Sequence, residues 1–134
     1  MRVLIVSATE KEVYPIIKNI GFNPTMVGEI MFGRYNKMEI DILITGPGIL
    51  ATSYVLGKTF ANNQGKWSLI FNVGIAGSFQ KNVPIGEVVN VIYDTQADFG
   101  AEGHEEFLPA SSIGLCNDND YIFNNDIAIG NTVL

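Results

Sequence analysis

Three stretches of this sequence place small residues directly after an apolar run. Ser7-Ala8-Thr9 follows Val3-Leu4-Ile5-Val6, Gly46-Pro47-Gly48 follows a run closing at Thr45, and Gly74-Ile75-Ala76-Gly77 follows Leu69-Ile70-Phe71-Asn72-Val73. Small residues let a backbone approach a ligand closely, and in open α/β sheets ligands bind outside the carboxyl ends of the strands. Three such loops in succession predict a ligand crevice. None follows the G-x-x-x-x-G-K-[ST] or G-x-G-x-x-G pattern, so neither a phosphate-cradling nor a dinucleotide loop is indicated. Glu12 is the carboxylate just beyond the first loop, and two readings of it stand. Thr9-Glu10-Lys11-Glu12 has capping-box spacing, in which Glu12 folds back to the Thr9 backbone N–H. Alternatively, Glu12 faces the crevice from a helix N-terminus and orients and deprotonates a water that attacks an electrophilic carbon.

The other reactive residue types have plainer readings. His104, among Glu102, Gly103, Glu105 and Glu106, reads as a solvated loop residue, and Asp94 and Asp98 as turn caps after a strand. Asn72 reads as a buried amide holding a loop by hydrogen bonds to backbone. Cys116, in a polar loop without a nearby His or Lys, reads as an inert thiol. One histidine and one cysteine are too few for a structural zinc site, so no metal and no cofactor is expected.

Composition bounds the class. With 134 residues, 47% hydrophobic and 16% charged, the chain has the makings of one globular domain over residues 1–134. A net charge of −6 argues against nucleic acid or an anionic membrane surface as partner, since both need a basic footprint. No apolar run approaches the ~20 residues of a membrane helix. Glu10, Lys11 and Glu12 arrive too soon for a signal-peptide core, so a cytoplasmic protein is expected.

The elements that must position the loops follow from periodicity. Val3-Leu4-Ile5-Val6 reads as a strand buried on both faces, as in a parallel sheet. Residues 10–20 set Val13, Ile16, Ile17 and Ile20 at helical spacing, with Gly21 as C′ glycine. Pro15 implies a distorted first turn or a start later than Glu10. Strand, short turn and helix open an α/β fold. Residues 29–35 and 38–45 predict a tight hairpin around Asn36-Lys37, with Asn36 at positive φ. Alternation in Met38-Glu39-Ile40-Asp41-Ile42 predicts a wet face near that strand's start. A helix follows over about residues 49–62, with Ile49, Leu56 and Phe60 inward and Ala51, Ser53 and Gly57 allowing close packing. A third buried strand spans 69–73, with Trp67 and Phe71 as core, and a fourth spans about 87–93. From 95 to 126 loop chemistry prevails at Pro109, Ser111-Ser112 and Asn117-Asp118-Asn119-Asp120, with Phe107, Leu108, Ile113 and Leu115 as docking points. Residues 127–134 read as an edge piece.

Four motifs stand in register: residues 1–13, Thr45-Gly46-Pro47-Gly48-Ile49, Asn72-Val73-Gly74-Ile75-Ala76-Gly77-Ser78-Phe79 and Gly86-Glu87-Val88-Val89-Asn90-Val91. Their order and separation over residues 1 to about 109 resemble the purine nucleoside phosphorylase/nucleosidase superfamily. The likeness is nearest to its nucleosidase branch, futalosine hydrolase and methylthioadenosine/S-adenosylhomocysteine nucleosidase. The runs Gly74 to Phe79 and Ala97 to Glu102 tilt it toward futalosine hydrolase, an enzyme of menaquinone biosynthesis. The resemblance implies a mixed twisted sheet with flanking helices, truncated at the C-terminus. It also implies a small-molecule purine nucleoside as partner and a homodimer, because in relatives the loop after the fourth strand reaches the neighbour's pocket. It would make Glu12 the carboxylate that positions the nucleophilic water at the anomeric carbon. By position it would put Ala8, Pro47, Ile75, Ala76 and Gly77 around sugar and base. Methylthioadenosine nucleosidases have a serine where Ile75 stands, so one hydroxyl contact is missing. Phosphorolytic relatives carry an arginine at the Asn72 position and a Gly/Arg pair in the first loop; neither is present, which favours water over phosphate.

The implied chemistry is N-glycoside hydrolysis through an oxocarbenium-like transition state, stabilised by a nearby carboxylate. In the family, the acid that protonates the base and the glutamate that grips the ribose come from a C-terminal part beyond the residues matched here. The 134-residue chain is therefore expected to release little or no base, and a longer form to be active. The alternatives are a non-catalytic nucleoside-binding or interaction remnant, and a nucleoside phosphorylase.

Overall fold

The N-terminal apolar run becomes the middle of a sheet. A computed structural model of the chain describes residues 1–23, 26–91, 93–95, 98–115 and 127–129. In chain order it forms β1 (Arg2–Ser7), α1 (Glu10–Ile20), β2 (Ile30–Tyr35), β3 (Met38–Ile44), α2 (Ile49–Asn62) and β4 (Leu69–Asn72). The strand order is β2-β3-β1-β4: β1 lies parallel to β3 on one side and to β4 on the other, and β2 closes antiparallel on β3. This is the mixed α/β sheet with flanking helices that the sequence predicts. The chain divides into two compact units, Met1–Phe79 and Gln80–Leu134, and the sheet belongs to the first.

Both faces of β1 are covered, because its continuous apolar run leaves no polar side to expose. Val3 and Ile5 pack with Ile40, Ile42 and Ile44 against Val13 and Ile17 of α1. Leu4 and Val6 pack with Leu43 against Val55 of α2, with Leu56, Phe60 and Trp67 at the margin. Burying side chains of this size stabilises by roughly 1.5–3 kcal/mol each. The hairpin forms as its spacing predicts, with Tyr35 opposite Met38 and Asn36 at φ 55°.

Several expectations are corrected. Helix α1 begins at Glu10 with Pro15 in its second turn. The Lys11 carbonyl that loses its helical donor lies on the exposed face, where water can satisfy it. Asp41 is 1% exposed, not wet, because its register opposite Leu4 turns it to the α2 face. Arg2 donates to it twice, at 2.8 and 3.1 Å, and Trp67 Nε1 donates at 2.6 Å. In α2 the buried residues are Val55 and Thr59, and the expected Leu56 and Phe60 pack partly buried against the same cluster; Ile49 is exposed, and a Cβ at Gly57 would meet nothing within 4 Å. Strand β4 is a sheet edge among the described residues, so Ile70, Phe71 and Asn72 are exposed rather than buried. Trp67 precedes β4 and is half-buried, edge-on to Phe60.

Helix α1 ends at Gly21, φ 78°, where the N–H groups of Gly21 and Phe22 both donate to the Ile17 carbonyl. That turn lays the Phe22 ring over Gly33 of β2, so a Cβ at Gly33 would collide with the ring. Gly33→Ala is expected to destabilise the first unit by about 1–3 kcal/mol through overpacking. A urea midpoint that recovers when Phe22→Ala is added would support this; an unchanged midpoint in the single variant would contradict it.

The second unit holds two short antiparallel pairs. β5 (Tyr93–Thr95) pairs with β8 (Ile127–Ile129), and β6 (Gly100–Glu102) pairs with β7 (Phe107–Pro109). The fourth strand expected over 87–93 starts only at Tyr93. Residues 87–91 form no ladder among the described residues, and Val88, Val89 and Val91 are exposed. Asp94 lies within β5 opposite Ala128, not in a turn after a strand. The β6–β7 hairpin occupies a stretch expected to be loop, and Ala110, not Phe107, Leu108, Ile113 or Leu115, is its buried residue. Cys116 and the Asn117-Asp118-Asn119-Asp120 turn lie outside the described residues, as does all of the expected edge piece beyond Ile129. No helix among the described residues is long and apolar enough to cross a membrane.

Candidate active site

Because β3, β1 and β4 are parallel neighbours, their carboxyl ends lie side by side. Backbone pairing continues just past the ladders: Thr45 N–H donates to the Ser7 carbonyl and Val73 N–H to the Val6 carbonyl, both at 2.9 Å. The strand after α1 and its hairpin joins β1 on one side, and the strand after α2 joins on the other. The end of β1 is therefore the place where strand order reverses, the usual position of a ligand crevice in such sheets. Gly46 at φ 82° and Gly48 at φ 92° turn the chain from β3 into α2. Buried Thr45 braces that turn: its hydroxyl lies 3.3 Å from the Ser7 carbonyl, 3.1 Å from the Gly46 carbonyl and 3.2 Å from Thr52 Oγ1.

Glu12 sits at the third position of α1, half-buried. Its oxygens have different surroundings. Oε2 accepts the Thr9 N–H and the Thr9 hydroxyl, both at 2.8 Å, and the Ser7 hydroxyl at 3.4 Å. Oε1 accepts the Ile75 N–H at 3.3 Å, across 63 residues of sequence. A Cβ at Gly74 would stand 3.0 Å from Oε1. The capping geometry and the placement beside the third loop are thus both present in one side chain.

The Thr9 hydroxyl, chiefly, and the Ile75 N–H hold the Glu12 carboxyl below the ordinary glutamate pKa, and partial burial opposes them. Donors to the charged form favour it, so Glu12 is an anion at neutral pH. Such a carboxylate suits orienting a water and facing positive charge better than donating a proton. The linkage sign follows. A depressed folded pKa contributes stability that is complete above the unfolded value, about 4.3, and is lost as pH falls through the folded value. The stability difference between wild type and Glu12→Gln should therefore be constant from pH 7 to about 5 and shrink below about 4.3. Parallel unfolding curves down to pH 3 would contradict it.

The other predicted site residues are placed as follows. Ala8 is half-buried in the turn between β1 and α1, and Pro47 is exposed in the loop after β3. Ile75 is 85% exposed and touches Glu12 through its backbone, while Ala76 and Gly77 are exposed further along the same loop. His104 is exposed in the β6–β7 turn and Asp98 is exposed. Ser7, Thr45 and Gly74 stand at the ends of apolar runs in the sequence, but the roles they take beside Glu12 and the β3–α2 turn come from the strand pairing.

The fold is similar to those of known proteins. A model of the phosphorylase superfamily matches residues 2–122, and the chain belongs to that superfamily. Its fold is similar to that of Helicobacter pylori MTAN, with TM-score 0.57 and 21% identity over 74% of this chain and 46% of that one. It is also similar to a Helicobacter pylori futalosine hydrolase mutant, with TM-score 0.56 and 23% identity over 74% and 46% of the two chains. A second Helicobacter pylori 5′-methylthioadenosine/S-adenosyl homocysteine nucleosidase structure, complexed with a pyrrolopyrimidine-bearing pyrrolidinol, gives TM-score 0.63 and 21% identity over 96% and 51%. The chain spans about half the length of these solved structures. Among curated proteins it has no match.

Proposed function

We propose that the whole protein to which these residues belong hydrolyses the N-glycosidic bond of a purine nucleoside, with Glu12 as the carboxylate that directs the attacking water. The observation that carries this is the contact between Glu12 Oε1 and the Ile75 N–H, which brings the start of α1 to the loop after β4. In this reaction the water oxygen bonds to the anomeric carbon as the carbon–nitrogen bond breaks. The base takes the electron pair and a proton, and the proton lost by the water passes toward the carboxylate. The anion at Glu12 also offsets the positive charge that develops on the sugar. Ala8, Pro47, Ile75, Ala76 and Gly77 line the sugar and base side of the same crevice.

Futalosine is the substrate we favour, with hypoxanthine released. The exposed apolar side chain of Ile75 supports a substrate without a polar partner at that point. We further propose a cytoplasmic homodimer that needs no metal or cofactor. Incubating the full-length protein with futalosine, methylthioadenosine and inosine, with and without phosphate, tests this by following free base. Phosphate-independent release is expected. Release only with phosphate would make it a phosphorylase, and binding without release would make it a non-catalytic nucleoside-binding domain.

A further inference from the structure

We propose that Thr9 and Gly74 divide the work of the two Glu12 oxygens and are positioning residues for the hydrolysis. Thr9 locks Oε2 into the helix cap, and Gly74 keeps Oε1 approachable from the crevice. The inference rests on the hydrolase reading above and extends it to residues that it leaves without a role.

Oε2 has two short donors, both from Thr9, which fill the lone-pair positions a single carboxylate oxygen presents. It has no capacity left for a water or a substrate hydroxyl. Oε1 has one long bond, from the Ile75 N–H at 3.3 Å, and keeps an accepting position. A carboxylate pinned at one oxygen cannot swing, so the other oxygen holds a fixed place relative to the strand ends. Gly74 is where that place can be closed: a methyl there would sit 3.0 Å from Oε1, tight enough that one of the two must move. With Oε2 anchored, Oε1 is the atom displaced or covered. The glycine is thus required by close approach, since its φ lies outside the left-handed region. The fully buried Ser7 hydroxyl lies between the Thr9 carbonyl, 3.2 Å away, and Oε2, 3.4 Å away.

The test has two arms. The first needs no turnover: in the carbon-13-labelled chain, the Glu12 carboxyl is titrated by NMR alongside the Thr9 and Ile75 amides. Thr9→Val should raise the Glu12 midpoint, and Thr9→Ser should restore it. Gly74→Ala should abolish the response of the Ile75 amide to the Glu12 titration while leaving that of Thr9. The second arm follows base release from futalosine and methylthioadenosine by the full-length protein. Gly74→Ala should lower it roughly 100-fold, and Thr9→Val should move the acid limb of the pH–rate profile upward. A Thr9→Val chain that titrates like wild type, or a Gly74→Ala protein of normal rate, overturns the division of labour. An unchanged rate in Glu12→Gln would instead overturn the hydrolase reading, and the titrations would still decide which residues hold which oxygen.

Discussion

Replacing Asp41 by alanine is expected to cost about 3 kcal/mol of folding stability, the lower end of the range for stripping one partner from a buried ion pair. Asp41 is 1% exposed, and three side chains converge on it. Arg2 donates through two nitrogens, Trp67 donates its indole N–H, and Lys66 Nζ lies 3.8 Å away. Alanine would leave the indole donor without its acceptor and the Arg2 guanidinium with only the longer pairing to Glu39, at 3.6 Å. Arg2 is partly exposed and can recover some hydration, which is why the lower figure applies. For a unit of this size the melting temperature should fall by roughly 12–24 °C. Arg2→Met with Asp41→Leu, which removes charge from both partners, should cost less than Asp41→Ala alone. Denaturant unfolding of these two variants beside wild type checks both statements. A single variant within about 1 kcal/mol of wild type would mean the pair contributes little beyond its desolvation cost.

Glu12→Gln should reduce the turnover number for base release by about 10²–10⁴, the usual contribution of a positioned acid–base group. The amide is nearly isosteric and retains one oxygen to accept from Thr9 or Ile75. It cannot carry the anion that faces the developing sugar cation or take the water's proton. The Michaelis constant should change little, since the loss falls on the transition state. Stability should fall by no more than about 1 kcal/mol, the worth of a cap interaction. The two roles of Glu12 therefore separate: lower turnover with near-normal melting identifies the working oxygen, and lower melting with normal turnover identifies a cap alone. The assay belongs on the full-length protein, because these residues span about half of the solved relatives.

Much of the architecture was legible in the residues because it depends on neighbours along the chain. The four-residue apolar run announced a strand with two covered faces. Asn36-Lys37 announced the hairpin and the Thr9 to Glu12 spacing announced the cap; each of these is settled by a few consecutive dihedrals and one periodicity. Glu12 itself stood out for the same local reason, as the carboxylate after a small-residue loop. What could not be read is what depends on partners far away in sequence. Alternation in β3 distinguishes two faces without saying which is covered, so Asp41 looked wet until the pairing of β1 with β3 set it opposite Leu4 and beneath Trp67. The exposure of β4 depends on which strand lies next to it, and that is a property of the sheet order. The bond from Ile75 to Glu12 links positions 63 residues apart. It exists because β4 pairs with β1 in one register and α1 leaves β1 at one angle. Periodicity can name the ends of strands, but only their pairing brings those ends together.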